Sequence, residues 1–215
     1  MFKDYYYLSS VNQGLVKHFE SLAKKLKKSN FVLDIGSNDG ILLKPLKRLG
    51  VKAIGIDPSE NIGKIANDRG LATIIDFFNY KSVKKIIKEF SKPDFIVASS
   101  IFTHLDNPIN FVKNIKILLK DEGTFILEIE YLINIIKNLE YERFYFDRPF
   151  YYSLNSINVL FNSIGMYLVD VEFINIHGGS LRCFIKKNKK NKMSNRCLKI
   201  LKNETKFLNN NTLKK

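Results

Sequence analysis

The residues whose types and spacing could do chemistry begin at Asp34. The stretch Val32-Leu33-Asp34-Ile35-Gly36-Ser37-Asn38-Asp39-Gly40 is an apolar run that breaks into a glycine-punctuated loop. Glycine lets a backbone turn tightly and approach a ligand closely. A following helix adds free N–H groups and a positive dipole end. Asp57, in Gly55-Ile56-Asp57-Pro58, lies 21 residues after Gly36. That is near the roughly 20-residue offset at which an acid reaches a pair of ribose hydroxyls. Asp76-Phe77-Phe78 then supplies a carboxylate for an adenine amino group and aromatics to flank the ring. Ser99-Ser100 is the fourth such point. Two cofactors use this layout. A dinucleotide must set a pyrophosphate against the loop, which the carboxylate of Asp39 would repel, and the G-x-G-x-x-G pattern is missing. S-adenosylmethionine carries an ammonium and a sulfonium, which acids such as Asp34 and Asp39 suit. The expected cofactor is therefore S-adenosylmethionine. Its expected binding residues are Asp34, Gly36, Ser37, Asn38, Gly40, Asp57, Pro58, Asp76, Phe77, Phe78, Ser99 and Ser100.

These residues need elements to hold them. Leu15, Phe19, Leu22 and Leu26 recur at spacings of three and four, so residues 5–28 contain a helix. Strands are expected over 31–35, 51–56, 72–75, 94–98 and 124–129. Helices are expected between them, over 41–49, 60–69, 83–90 and 108–119, with Pro45 disturbing the first turn of the earliest. Apolar strands alternating with helices indicate a parallel sheet covered on both faces. Beyond Glu130 the rhythm changes. Helices are expected over 131–139 and 156–164, around an aromatic and charged stretch over 141–152. Tyr167–Ile174 and Ser180–Ile185 read as a hairpin about His177-Gly178-Gly179. The expected fold class is α/β: a Rossmann-like class I methyltransferase fold with a mostly parallel central sheet, helices on both faces and a terminal antiparallel hairpin. Ligands of such sheets bind at the carboxyl ends of the strands.

Length and charge narrow the class. The chain has 215 residues, 45% hydrophobic and 26% charged, which excludes a chain disordered throughout. No apolar run reaches the ~18 residues of a spanning helix, and Met1–Ser10 lacks the pattern of a secretory leader. Two cysteines, Cys183 and Cys197, without metal-ligand spacing exclude a disulfide scaffold or zinc module as organising principle. A cytoplasmic location is the default. The net charge of +14 is uneven. Residues 186–215 hold eleven of the 35 Lys/Arg but one of the 21 acids, leaving the rest of the chain near balance. The expected organisation is one methyltransferase domain over 1–186 and a Lys/Asn-rich basic tail over 187–215. That tail is expected to make non-specific contacts with nucleic acid at most.

From about Tyr5 to Lys186 the chain resembles the S-adenosylmethionine-dependent C-methyltransferases of nucleotide-linked deoxysugars. The resemblance rests on Tyr5-Tyr6-Tyr7-Leu8-Ser9-Ser10 with His18, on 34–40, 55–61, 76–78 and 102–108 with His104, and on Tyr151-Tyr152-Ser153-Leu154. Asp170-Val171-Glu172 and His177-Gly178-Gly179-Ser180-Leu181-Arg182 complete it, and the last is the most specific segment. The family also carries a cysteine-rich zinc module before this region and a second α/β domain after it, so a relative lacking both is expected. The resemblance implies a small-molecule acceptor, a sugar or sugar nucleotide of glycan biosynthesis, and no membrane. A second copy or a separate partner chain is the implied association.

The chemistry it implies is proton removal beside a sugar ketone, then attack of the enolate carbon on a methyl group. Where the family has Tyr-His-Glu-His, this chain reads Tyr145-Phe146-Asp147-Arg148. The implied catalytic residues are Tyr145, Asp147, Arg148, His177 and His104, with a tyrosine among Tyr5–Tyr7 as a further option. Histidine suits the base. Asp147 serves if burial raises its pKa. Arg148 stays protonated and suits an anion or enolate. Asp147 and Arg148 could also form a structural ion pair. Other classes stay open: an O-methyltransferase on a related acceptor, a non-catalytic relative that binds the cofactor or a partner chain, an RNA methyltransferase and a nicotinamide oxidoreductase. Ser99-Ser100-Ile101-Phe102 lacks the Asn/Asp-Pro-Pro-aromatic motif of base amino-group methylation, which weighs against the RNA reading.

Overall fold

Phe31–Ile35 is a buried strand, β1, because both of its faces find a core. Phe31, Leu33 and Ile35 join one apolar cluster and Val32 joins another on the opposite face. This is the period of two expected of a strand covered on both sides. The computed structural model describes residues 6–209. Tyr5 and residues 210–215 of the basic stretch lie outside the described residues.

On one face lies α1 (Gln13–Lys25), capped by the Asn12 side chain, which accepts from Gly14 N and Leu15 N. It is followed after β1 by α2 (Leu43–Arg48), β2 (Lys52–Asp57), α3 (Glu60–Asp68) and β3 (Thr73–Ile75). The chain continues through α4 (Tyr80–Phe90), β4 (Phe95–Ser99), α5 (Pro108–Leu118) and β5 (Thr124–Glu130). Then come α6 (Leu132–Lys137), α7 (Leu154–Ser163), β6 (Tyr167–Ile174), β7 (Ser180–Lys186) and α8 (Asn195–Asn209). The strand order is β3-β2-β1-β4-β5-β7-β6. The first five strands are parallel, and β7 runs antiparallel to both β5 and β6. The order reverses between β1 and β4. The carboxyl ends of those two strands, at Ile35 and Ser99, therefore open the crevice where such sheets take ligands.

Packing continues past Lys186, where the charge count alone would end the domain. Ser194 and Arg196 bond to Asp170 of β6, and Cys197 and Ile200 of α8 are buried in the main core. The lysines of α8 hide an apolar face: Cys197, Ile200 and Glu204 recur at spacings of three and four and are the buried positions of the helix. Among the described residues no helix is long and apolar enough to cross a membrane.

Candidate active site

Strand alternation puts a row of polar side chains on one face at the carboxyl edge. Val32, Val97 and Ile126 belong to the core beneath α1. Two residues further along each strand come Asp34, Ser99 and Glu128, on that same face. Antiparallel register then sets Arg182 of β7 opposite Glu128 of β5 and Glu172 of β6. The result is a buried network. Glu128 is fully buried and accepts from Arg182 Nε at 2.6 Å, Ser99 Oγ at 2.6 Å and His18 Nε2 at 2.9 Å. Arg182 also reaches Glu172 at 3.1 Å, and Lys25 of α1 holds Glu172 from the other side. Burial pushes the Glu128 carboxyl up, but His18, Arg182 and Ser99 together outweigh it and hold the group below its usual range. Breaking a buried set of this kind costs about 3–5 kcal/mol.

Asp34 is the opposite case. Its residue is 3% exposed, and no hydrogen bond reaches its carboxyl among the described residues. Burial first, then Asp57 and Glu128, raise its pKa well above the ordinary carboxyl value. A buried acid beside two others, with no cation of its own, is a place for a cationic ligand.

The glycine loop is wired to itself. Gly36 N and Ser37 N donate to Ile56 O, Asn38 N to Asp57 Oδ2 and Gly40 N to Ser37 O. Asp57 Oδ1 accepts from Ser59 N at 2.9 Å, so this acid ties the two loops together just before Pro58. These four amides are therefore not offered to a pyrophosphate. The turn needs glycine at two points. Gly36 has φ +74° and a Cβ there would lie 2.4 Å from Ile101 Cγ2. Gly40 has φ +82° and its Cβ would lie 2.4 Å from Leu71 Cδ1. Asn38 and Ser100 also adopt positive φ, at 49° and 58°. Such backbone strain gathers at ligand sites. Among the described residues the Ser37 hydroxyl is buried without a hydrogen-bond partner.

Of the expected cofactor residues, Asp34, Gly36, Ser37, Asn38, Gly40, Asp57 and Pro58 form one continuous wall. Asp76 joins it through its N–H to Asp57 O. Ser99 and Ser100 reach it from β4, where Ser100 N donates to Glu128 O. The two phenylalanines part company. Phe77 is 49% exposed, while Phe78 packs edge-on against Phe111 of α5. Asp39, offered above as a partner for the cofactor cation, is instead ion-paired to Arg69 at 2.9 Å and bonded by Ser10. Ser9 N and Tyr7 O bond the Asn38 side chain, so the segment before α1 lies over the loop.

The five expected catalytic residues come together around the segment between β5 and α7. His104 Nδ1 lies 3.1 Å from Asp147 O and 3.4 Å from its carboxylate. Arg148 donates to Glu130 Oε1 at 2.7 Å and sits over the Tyr145 ring at 4.7 Å. Asp147 and Arg148 therefore pair with other residues rather than with each other. The Tyr151 hydroxyl staples the segment, donating to Arg143 O and accepting from Tyr145 N. His177 occupies the β6–β7 turn at φ 48°. The turn leaves much of the residue in contact with water, yet partial desolvation of the ring lowers its pKa. Arg148 and Arg143 add to that shift and Glu130 opposes it. Glu130 is 6% exposed, and among the described residues its Oε2 carries no hydrogen bond but lies 3.7 Å from Arg143 Nη1.

Sequence reasoning missed Glu128, Glu130, Arg143 and His18 as site residues. The signal for the first two was present: Thr-Phe-Ile-Leu-Glu-Ile-Glu sets two acids on one face of a strand otherwise fit for the core. Buried acids of that kind need partners.

The residues fit S-adenosylmethionine. The unpartnered Asp34 carboxyl suits a cation, Asp57 suits ribose hydroxyls, and the engaged loop amides disfavour a phosphate.

A family profile described as "Methyltransferase domain" matches residues 7–171. The chain is 28% identical over 190 residues to the C-methyltransferase NovU of Streptomyces niveus, covering 86% of this chain and 45% of that protein. It is 29% identical over 126 residues to the mitochondrial ubiquinone biosynthesis O-methyltransferase of Arabidopsis thaliana, covering 56% of this chain and 39% of that protein. The chain thus spans less than half the length of either relative. Among solved structures, it is similar to magnesium protoporphyrin IX methyltransferase (ChlM) from Synechocystis PCC 6803 with bound SAH. The TM-score is 0.62 at 13% identity, covering 81% of this chain and 84% of that one. A methyltransferase in complex with the Haloferax volcanii Trm112 activator matches with TM-score 0.62 at 16% identity, covering 80% and 91%. The fold is the class I Rossmann-like one that binds S-adenosylmethionine and S-adenosylhomocysteine, with β6–β7 as its antiparallel hairpin.

Proposed function

The chain belongs to the methyltransferase-domain family, and on that premise we propose that it methylates a sugar ketone carried on a nucleotide, at the carbon beside the carbonyl. One observation carries this reading: the segment after β5 sets Asp147 against His104 at the edge where Ser99 and Ser100 end. Held at Nδ1 by Asp147, His104 is the proposed base, and the carboxylate stabilises the imidazolium that forms. The proton beside the ketone passes to His104. The electron pair moves onto the ketone oxygen, and the enolate carbon then forms the new bond to methyl. S-adenosylmethionine, when bound, supplies that electrophilic methyl and leaves as S-adenosylhomocysteine.

Arg148 is anchored by Glu130 through one nitrogen and keeps further N–H donors for the enolate oxygen. The Oε2 of Glu130, 3.7 Å from Arg143 Nη1 and without a hydrogen bond among the described residues, is the acceptor we assign to a sugar hydroxyl. The likeness to a relative named as a C-methyltransferase supports carbon as the acceptor atom. The likeness to O-methyltransferases supports a second reading, in which the same base takes a hydroxyl proton. Solvent exchange separates the two. With S-adenosylhomocysteine and a nucleotide-linked ketodeoxysugar in D2O, the protein should wash deuterium into the carbon beside the ketone. His104→Ala should slow that by about 10²-fold or more, the usual contribution of a general base. Methylation of a hydroxyl with no wash-in would establish the O-methyl reading. Neither wash-in nor methylation would refute both.

A further inference from the structure

Glu204 is the one acid among residues 186–215. It is 1% exposed, and no cation pairs with it among the described residues. Its Oε1 accepts from Leu154 N at 2.6 Å and its Oε2 from Asn155 N at 2.8 Å. These are the first N–H groups of α7, which a helix leaves without internal partners. An anion there also meets the positive end of the helix dipole. A local residue, Ser153, already caps α7 through Ser156 N. A carboxylate brought from 50 positions away, at the cost of burying its charge, does more than repeat that cap.

The same carboxylate neighbours Tyr131. Burial first and then Glu204 push the Tyr131 hydroxyl far above the ordinary tyrosine range. Tyr131 is the first residue after β5, and Tyr152 closes the segment two residues before Leu154. Tyr131 and Tyr152 form an isolated parallel bridge, with Leu132 N donating to Tyr152 O at 3.1 Å. Between these ends run Tyr145, Asp147 and Arg148. Apart from α6 and a single turn at Tyr141–Arg143, that stretch has no regular structure. A second residue of α8 grips it as well: the Lys137 ammonium lies over the Phe207 ring at 5.0 Å.

We propose that Glu204 is a positioning residue that clasps the α7 end of the segment 131–153 directly and its other end through the Tyr131–Tyr152 bridge. The clasp keeps Asp147 on His104 and Arg148 on Glu130. Closing a loop of this length costs conformational entropy, and a clasp at its base meets that cost before any acceptor arrives. The role of α8 is thus to preorganise the acceptor side of the site, a role that rests on the reading given under Proposed function. The clasp itself is testable without that reading.

Amide hydrogen exchange on the full chain, with and without S-adenosylhomocysteine, is the direct test. Glu204→Ala should speed exchange over residues 139–152 by about tenfold or more, while exchange in β1–β5 and the affinity for S-adenosylhomocysteine hold within about twofold. Glu204→Gln keeps an acceptor oxygen and should restore part of the protection. Tyr131→Phe removes the hydroxyl that neighbours this carboxylate and should loosen 139–152 while sparing α7, so it serves if Glu204→Ala does not fold. With the ketodeoxysugar as probe, KM for that acceptor should rise and KM for S-adenosylmethionine should not. Unchanged exchange over 139–152 in the variants would overturn the proposal. So would loosening spread evenly through the sheet with loss of S-adenosylhomocysteine binding. Absence of turnover in the parent protein would instead refute the acceptor reading, and the exchange result would still decide the clasp.

Discussion

Asp34 sets the clearest expectation at the scale of single residues. Its carboxyl is held protonated to unusually high pH by burial, Asp57 and Glu128. A cationic ligand beside it favours the carboxylate and lowers that pKa. Binding therefore releases a proton, and affinity rises as pH climbs toward the raised pKa of the free protein. Calorimetric titration with S-adenosylmethionine in buffers of different ionisation enthalpy should show this release. Asp34→Asn should abolish it, and an equal release from that variant would show that another group titrates. The residues proposed to line the cofactor site could be picked out in the chain because they stand at or just after the ends of apolar runs. The pairings were not. Nothing in the spacing says that Asp39 goes to Arg69 and Ser10, or that Asp147 and Arg148 part to His104 and Glu130. Those contacts depend on how distant segments cross.

At the scale of elements, the loop from β1 to α2 works only if its backbone can turn left-handed against β4. Gly36→Ala adds a Cβ at 2.4 Å from Ile101 in a backbone of φ +74°. Strain of that kind costs about 1–3 kcal/mol before any clash. For a domain of this size the melting temperature should fall by at least about 2 °C, and affinity for S-adenosylhomocysteine should fall with it. An unchanged melt and affinity would show that the loop is not held against Ile101. The strands and helices were readable to within a few residues, because parallel strands buried on both faces are short apolar runs between glycines. Glu128 and Glu130 escaped notice for that same reason: they sit inside such a run. Their meaning appears only when the antiparallel β7 sets Arg182 beside Glu128 and the later loop brings Arg148 to Glu130.

At the scale of the whole molecule, net charge misleads about where the fold stops. Eleven Lys/Arg over residues 186–215 suggest a solvated tail, yet α8 seats Cys197 and Ile200 in the core and sends Glu204 to the start of α7. A helix can be amphipathic beneath a strongly basic surface, because long lysine stems keep their charges in water. The parts that converge on the crevice between β1 and β4 make one claim: this edge holds an adenosyl cofactor with a cationic end. Calorimetric titration of the protein with S-adenosylmethionine and S-adenosylhomocysteine, with NAD as control and Asp57→Ala as the variant, tests it most directly. Both adenosyl ligands should bind and NAD should not. Asp57→Ala should weaken them by roughly 10²-fold, as expected when charge-assisted hydrogen bonds worth about 1.5–3 kcal/mol each are lost. Binding of NAD alone, or adenosyl binding untouched by Asp57→Ala, would contradict that claim.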